Sequence, residues 1–196
     1  MTHDGKPAVV LVHGLWNTVN TFWRLRAYLE DRGWAVYAVG LTPNNGDISI
    51  EQQAQQLSQF VELSLGNQRS FCLVGFSMGG LVSRFYLQRL GGWRRVRQFV
   101  GVAVPHYGSA IAWLRWNAGG RQMQLGSSFL ADLNQDMERL IACRPVWLWT
   151  PYDLLVVPAH HCCLPIGKNI RLPVATHDRM LQDPRSLEAI TQGLTS

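Results

Sequence analysis

Apolar residues in this chain occur in two arrangements, short unbroken runs and longer stretches with a helical period. Ala8-Val-Val-Leu-Val12 is a run of the first kind and stops at His13-Gly14. Runs without polar alternation suit strands covered on both faces, as in a parallel sheet. Trp34 to Val39, Cys72 to Val74, Val96 to Val104, Pro145 to Trp149 and Ile170 to Ala175 read the same way. Between them lie helical stripes. Phe22, Leu25, Tyr28 and Leu29 form one, closed by Gly33; Ile50, Ala54, Leu57 and Val61 form a second, closed by Gly66. Ser49 with Gln52 predicts a capping box at the start of that second helix. Leu81, Val82, Phe85 and Leu87 continue a third helix to Gly91-Gly92. Ser127 opens a fourth with Leu130, Leu133, Met137 and Leu140 as its buried stripe. Asp183-Pro184 opens the last, with Leu187 and Ile190 facing inward. Tyr107 to Gly126 shows no clear period.

Strands alternating with helices predict a mostly parallel sheet of about six strands with helices on both faces. Right-handed crossovers then gather the loops that follow the strands along one edge. With 196 residues, 47% apolar and 16% charged, the chain reads as one domain with a substantial core, spanning 1–196. No apolar run is long enough to cross a bilayer, and no signal segment precedes the first strand, so a cytoplasmic location is expected. On that reading the four cysteines are reduced, with Cys72 a small buried hydrophobe. The net charge of +5 owes much to Arg84, Arg89, Arg94, Arg95 and Arg97. These suit a solvated helix end near the C-terminal dipole better than an anionic partner. No nucleic-acid motif accompanies them, though transient contact with a membrane surface stays open.

The chemistry centres on Gly75-Phe-Ser-Met-Gly-Gly80, which follows an apolar run and opens a helical pattern. Strand, sharp turn and helix with one hydroxyl at the apex describe a nucleophile elbow. Ser77 there needs positive φ, and side chains at Gly75 or Gly79 would collide with the neighbouring strand or helix. A serine hydroxyl is barely ionised at neutral pH, so it needs a histidine base oriented by a carboxylate. In elbow enzymes that carboxylate and histidine follow the serine in order. Asp153 follows the fifth strand and His177 the sixth. His3, His13 and His106 come too early in the chain, and His160 and His161 too soon after Asp153. Asp178 is the rival acid, but its adjacency to His177 makes the approach awkward. The backbone N–H groups of Met78 and Leu15 are the expected oxyanion donors, with Gly14 permitting close approach and His13 supporting the loop. His160-His-Cys-Cys163 reads as a loop, because four contiguous residues cannot all face one ion.

Five segments together resemble a small lipase of the α/β-hydrolase superfamily: Val12-His-Gly-Leu15, Gly75 to Gly80, Val104-Pro-His-Tyr-Gly-Ser109, Asp153 to Pro158 and His177 to Pro184. The resemblance implies an α/β-hydrolase fold with Ser77 as nucleophile, His177 as base and Asp153 as acid. It implies Leu15 and Met78 as oxyanion donors, and no cofactor or metal. His106 and Tyr107 are implied as acyl-pocket contacts. The segment after the fourth strand is short, so no large cap is expected. Trp16, Trp23, Trp113 and Trp116 then form either an open apolar rim, with Trp16 at the substrate, or part of the core. The expected activity is cleavage of carboxylic, lipid or acyl esters through an acyl-serine. A thioesterase, amidase or acyltransferase using the same residues is the alternative, and a non-catalytic binding protein on this fold the remaining one.

Overall fold

The structure is a computed structural model and describes residues 6–195. Its centre is a six-stranded, all-parallel sheet in the order β2-β1-β3-β4-β5-β6. The strands are β1 (Ala8–Val12), β2 (Val36–Val39), β3 (Phe71–Phe76), β4 (Val96–Val102), β5 (Val146–Trp149) and β6 (Lys168–Arg171). β1 and β3 are buried at every residue, which is why they carry no polar alternation.

Alternate residues of these strands feed two separate cores. Ala8, Val10 and Val12 of β1 and Leu73 of β3 face α2 (Ile50–Leu65) and α3 (Met78–Arg89). Val9, Leu11, Cys72 and Val74 face α1 (Trp23–Glu30) and α6 (Pro184–Thr195). The period-2 alternation of a strand thus meets the 3.6-residue stripes of helices on both sides. Ser49 and Gln52 form the expected capping box at the start of α2. Two short helices, α4 (Ala118–Gln122) and α5 (Ser128–Gln135), lie between β4 and β5.

Several boundaries differ from the sequence reading. β4 ends at Val102, because Ala103 turns to φ 51°. β6 runs from Lys168 to Arg171, earlier than Ile170 to Ala175. Leu172 still donates to Trp149 O at 2.8 Å, but Pro173 has no N–H to continue the ladder. The helix expected through Leu140 breaks at Asp136, whose carboxylate is held by Gln88, Arg89 and Arg139, and the chain proceeds as a 3₁₀ turn, Met137–Cys143.

The arginine cluster also needs correction. Arg84 is fully buried beneath α5 instead of lying on a solvated helix end. Its guanidinium donates to Leu133 O, Asn134 Oδ1 and Gln88 Oε1, with His106 Nδ1 at 3.2 Å. Burial pulls its pKa down to about 9. Arg89 is held by Asp132 and Asp136, so these two arginines serve packing.

Candidate active site

The sheet order reverses direction at β1, where the chain goes first to β2 and then across to β3. Crevices form outside the C-terminal ends of strands at such a point. The loop after β1 and the β3–α3 turn meet there. Ser77 sits in that turn at φ 53°, ψ −125°, with its N–H donating to Val102 O at 2.9 Å. Three glycines make the turn possible. A Cβ on Gly75 would lie 2.6 Å from Gly80 Cα, and one on Gly79 would lie 2.3 Å from Val12 O. A Cβ on Gly14 would press on Ser77 Cβ at 3.0 Å, so the loop after β1 passes directly beside the hydroxyl-bearing residue.

His13 supports this loop from below. Its Nε2 accepts from Leu41 N–H at 3.0 Å, which leaves Nδ1 to donate to Gly14 O at 2.9 Å. Burial lowers its pKa, so the ring stays neutral and keeps both bonds. Trp16, at φ 57°, donates its N–H to Asn44 O at 2.7 Å. Leu15 N–H makes no hydrogen bond among the described residues. Met78 is the first residue of α3, where the helix supplies no acceptor for its N–H. Both expected oxyanion donors therefore lie in segments adjoining Ser77 with unspent N–H groups.

Asp153 and His177 are brought together across 24 residues. Asp153 Oδ1 accepts from the N–H groups of Leu155 and Val156, each at 2.9 Å. Oδ2 lies 2.7 Å from His177 Nδ1. Both side chains are shielded, at 0% and 6% exposure, so the pair is not weakened by solvent. Since the carboxylate accepts, Nδ1 carries the proton and Nε2 is left with its lone pair. The His177 ring packs on Phe76, the residue before Ser77, with centroids 4.9 Å apart. Asp178 lines the same cleft but makes no hydrogen bond to His177.

Three polar residues to which the sequence reading gave no such role hold these loops in place. Thr150 Oγ1 donates to Val174 O at 2.5 Å, joining the end of β5 to the His177 loop. Ser109 Oγ donates to Leu155 O at 2.7 Å and accepts from Val157 N–H at 3.0 Å, on either side of the groups that hold Asp153. His161 Nδ1 lies 2.9 Å from Gly108 O, and its own carbonyl accepts from His106 N–H. The 3₁₀ turn Ala159–Cys162, with Cys163 extended after it, thus braces the Pro105-to-Ser109 loop. Its only sequence signal was the presence of polar residues beside a proline.

Ser77 and His177 both open into a cleft of about 400 Å³. Its apolar walls include Leu15, Trp16, Ile111, Leu114, Leu155 and Val156. Trp16 is among the lining residues, with the Arg115 guanidinium 3.7 Å above its ring. His106 and Tyr107 are not. His106 is buried between Arg84 and the Trp147 ring, and burial beside that guanidinium holds its pKa well below 6.5. Tyr107 turns outward against His161. The chain reverses around Gly108 at φ 83°, which directs Ser109 rather than these two rings toward the cleft. A larger depression of about 530 Å³ lies at the opposite sheet edge and contains none of these residues. His3 falls outside the described residues.

Among solved structures, the lipase BlEst2 of Bacillus licheniformis in its mature form has a TM-score of 0.83 at 17% identity, covering 98% of this chain and 94% of that one. Lipase B of Aspergillus fumigatus has a TM-score of 0.82 at 16% identity, over 98% of this chain and 53% of the other. An extracellular α/β-hydrolase from a Paenibacillus species has a TM-score of 0.68 at 14% identity, over 95% and 98%. These likenesses establish the α/β-hydrolase fold. The family model described as palmitoyl protein thioesterase matches residues 8–113, more than half of the chain and the part that carries β1, the elbow and the start of the cleft wall. The chain therefore belongs to the palmitoyl protein thioesterase family and has the α/β-hydrolase fold.

Proposed function

We propose that the protein is a serine hydrolase that cleaves acyl esters through an acyl-Ser77 intermediate. The observation that carries this reading is the Asp153–His177 pair, closed at 2.7 Å, opening with Ser77 into one apolar cleft. In the proposed reaction His177 Nε2 takes the Ser77 proton as Oγ attacks the acyl carbon. Negative charge on the carbonyl oxygen is met by the N–H groups of Leu15 and Met78, the latter at the positive end of α3. The imidazolium formed is stabilised by Asp153 and returns its proton to the leaving oxygen or sulfur. Water activated by the same histidine then releases the acid and restores Ser77. The apolar walls, Leu15, Ile111, Leu114 and Val156 among them, suit an acyl chain.

A thioester is the second reading, favoured by the family match. The same residues would act, with a thiolate as the easier leaving group. The test is a matched series of acyl oxygen esters, thioesters and amides of increasing chain length. Saturable hydrolysis of oxygen esters, lost in Ser77→Ala, supports the first reading. Turnover confined to thioesters would replace it with the second, and equal turnover by Ser77→Ala would overturn both.

A further inference from the structure

A single arginine, Arg115, lines the cleft with Ser77 and His177, and nothing in the proposed reaction uses it. Its place is built at three levels. The backbone is pinned: its N–H donates to Ala112 O at 3.0 Å, and its carbonyl accepts from Gln124 Nε2 at 3.1 Å. The stem packs on Gly120, where an added Cβ would lie 2.5 Å from Arg115 Cβ. The guanidinium lies over the Trp16 ring at 3.7 Å, and the Trp16 backbone, at φ 57°, is itself tied to Asn44 O. Trp16 is 65% exposed, and Trp23, Trp113 and Trp116 are exposed as well, so all four tryptophans lie outside the core. The Trp16 ring therefore acts as a platform for the guanidinium.

Contact through the face of a guanidinium leaves its N–H groups, which lie around the edge, unengaged. Among the described residues none of them meets an acceptor, and Arg115 makes no ion pair. Burial alone lowers its pKa. A guanidinium held still with its donors free is suited to a carboxylate, which it meets through two parallel hydrogen bonds. The acid of the cleft, Asp178, stands beside His177 and is not paired with Arg115. These two charges divide the cleft. His177 returns its proton to the leaving group, so that group departs past Asp178, where a second negative charge is repelled. Trp16 follows Leu15, whose N–H is assigned to the carbonyl oxygen, and that oxygen belongs to the acyl half. Ile111, Ala112 and Leu114 of the 3₁₀ turn Ala110–Leu114 line the cleft with apolar side chains and lead directly into Arg115. An acyl chain following this turn away from Ser77 would meet the guanidinium.

We propose that Arg115 is a specificity-determining residue that binds a terminal carboxylate on the acyl chain, which makes half-esters of dicarboxylic acids the substrate class. The placement of that carboxylate on the acyl side rests on the function proposed above; the anion subsite itself does not.

The test compares 4-nitrophenyl half-esters of adipic and suberic acid with neutral straight-chain esters of matching length, as a ratio of kcat/KM. The ratio should favour the half-esters about tenfold or more, mainly through KM, since the contact is remote from the reacting bond. Arg115→Gln should lower the ratio about 10- to 100-fold. Arg115→Lys, which keeps the charge but not the planar fork, should lower it less. A second pair, phenyl hexanoate and 4-carboxyphenyl hexanoate, puts the charge on the leaving group and should show no preference for the anion. Binding is read separately by calorimetry on the Ser77→Ala protein. There the monoamide of adipic acid should bind about tenfold or more tightly than hexanamide and lose this advantage in Ser77→Ala/Arg115→Gln. Equal ratios in the parent and Arg115→Gln, a preference confined to the charged leaving group, or equal binding of the two amides would each overturn the proposal while leaving ester hydrolysis standing. Absence of ester turnover with the binding preference intact would overturn the half-ester substrate, together with the reaction it depends on, and keep the anion subsite.

Discussion

Asp153 shows how little of a functional side chain's behaviour resides in the side chain alone. One oxygen is consumed by two backbone N–H groups, which fixes the carboxylate plane and leaves the other oxygen directed at His177. Asp153→Asn would keep this packing but could present an amide donor to the ring, favouring the wrong tautomer. We expect kcat to fall about 10⁴-fold with the unfolding midpoint little changed. Ser109 acts one step further out. Removing its hydroxyl frees Leu155 O and Val157 N and lets the Asp153 loop drift. Ser109→Ala is expected to lower kcat roughly 10- to 100-fold, with a smaller change in KM. Equal effects on both constants would assign Ser109 to substrate binding instead. The Asp153–His177 pairing was legible in the sequence because strand order and loop placement restrict which acid and histidine share an edge. Ser109, Thr150 and His161 were not, since their partners are backbone carbonyls 46, 24 and 53 residues away.

The β3–α3 turn and the loop after β1 behave as one unit, because each occupies space the other would need. Gly79 is the clearest case: a methyl group there meets the Val12 carbonyl, which belongs to a fully buried strand and cannot withdraw. Gly79→Ala is expected to cost about 3 kcal/mol or more, read as a lower urea midpoint. This requirement was visible in the sequence as a steric consequence of the elbow. The ends of β4 and β6 were less visible, since they depend on Ala103 adopting positive φ and on where Pro173 interrupts a ladder. His106 was misplaced for a related reason. The resemblance of its segment to a lipase segment implied substrate contact, whereas the turn at Gly108 sends it into the core against Arg84. Its pKa, like that of His13, is lower folded than unfolded. The unfolded chain therefore binds more protons below about pH 6.5, and stability should be greatest above that value and fall as pH drops toward 5. Urea midpoints between about pH 7.5 and 5 would measure this slope, and His106→Gln should make it shallower.

Over the whole chain, the parallel sheet, its two helical layers and the edge that collects the loops followed from the alternation of apolar runs with helical stripes. The distribution of exposed tryptophan did not, because composition and period say nothing about which apolar residues a fold leaves uncovered. The same sheet edge carries the Ser77 turn and the Asp153–His177 pair, so the groups of the proposed chemistry share one face. The proposed chemistry depends on Ser77 being an activated nucleophile. The most direct measurement is labelling of the intact protein with an alkyl fluorophosphonate, followed by mass-spectrometric mapping of the modified residue. The account predicts one covalent adduct on Ser77, lost in Ser77→Ala and strongly slowed in His177→Ala. An adduct on another residue, or labelling of Ser77 at the same rate without His177, would contradict it.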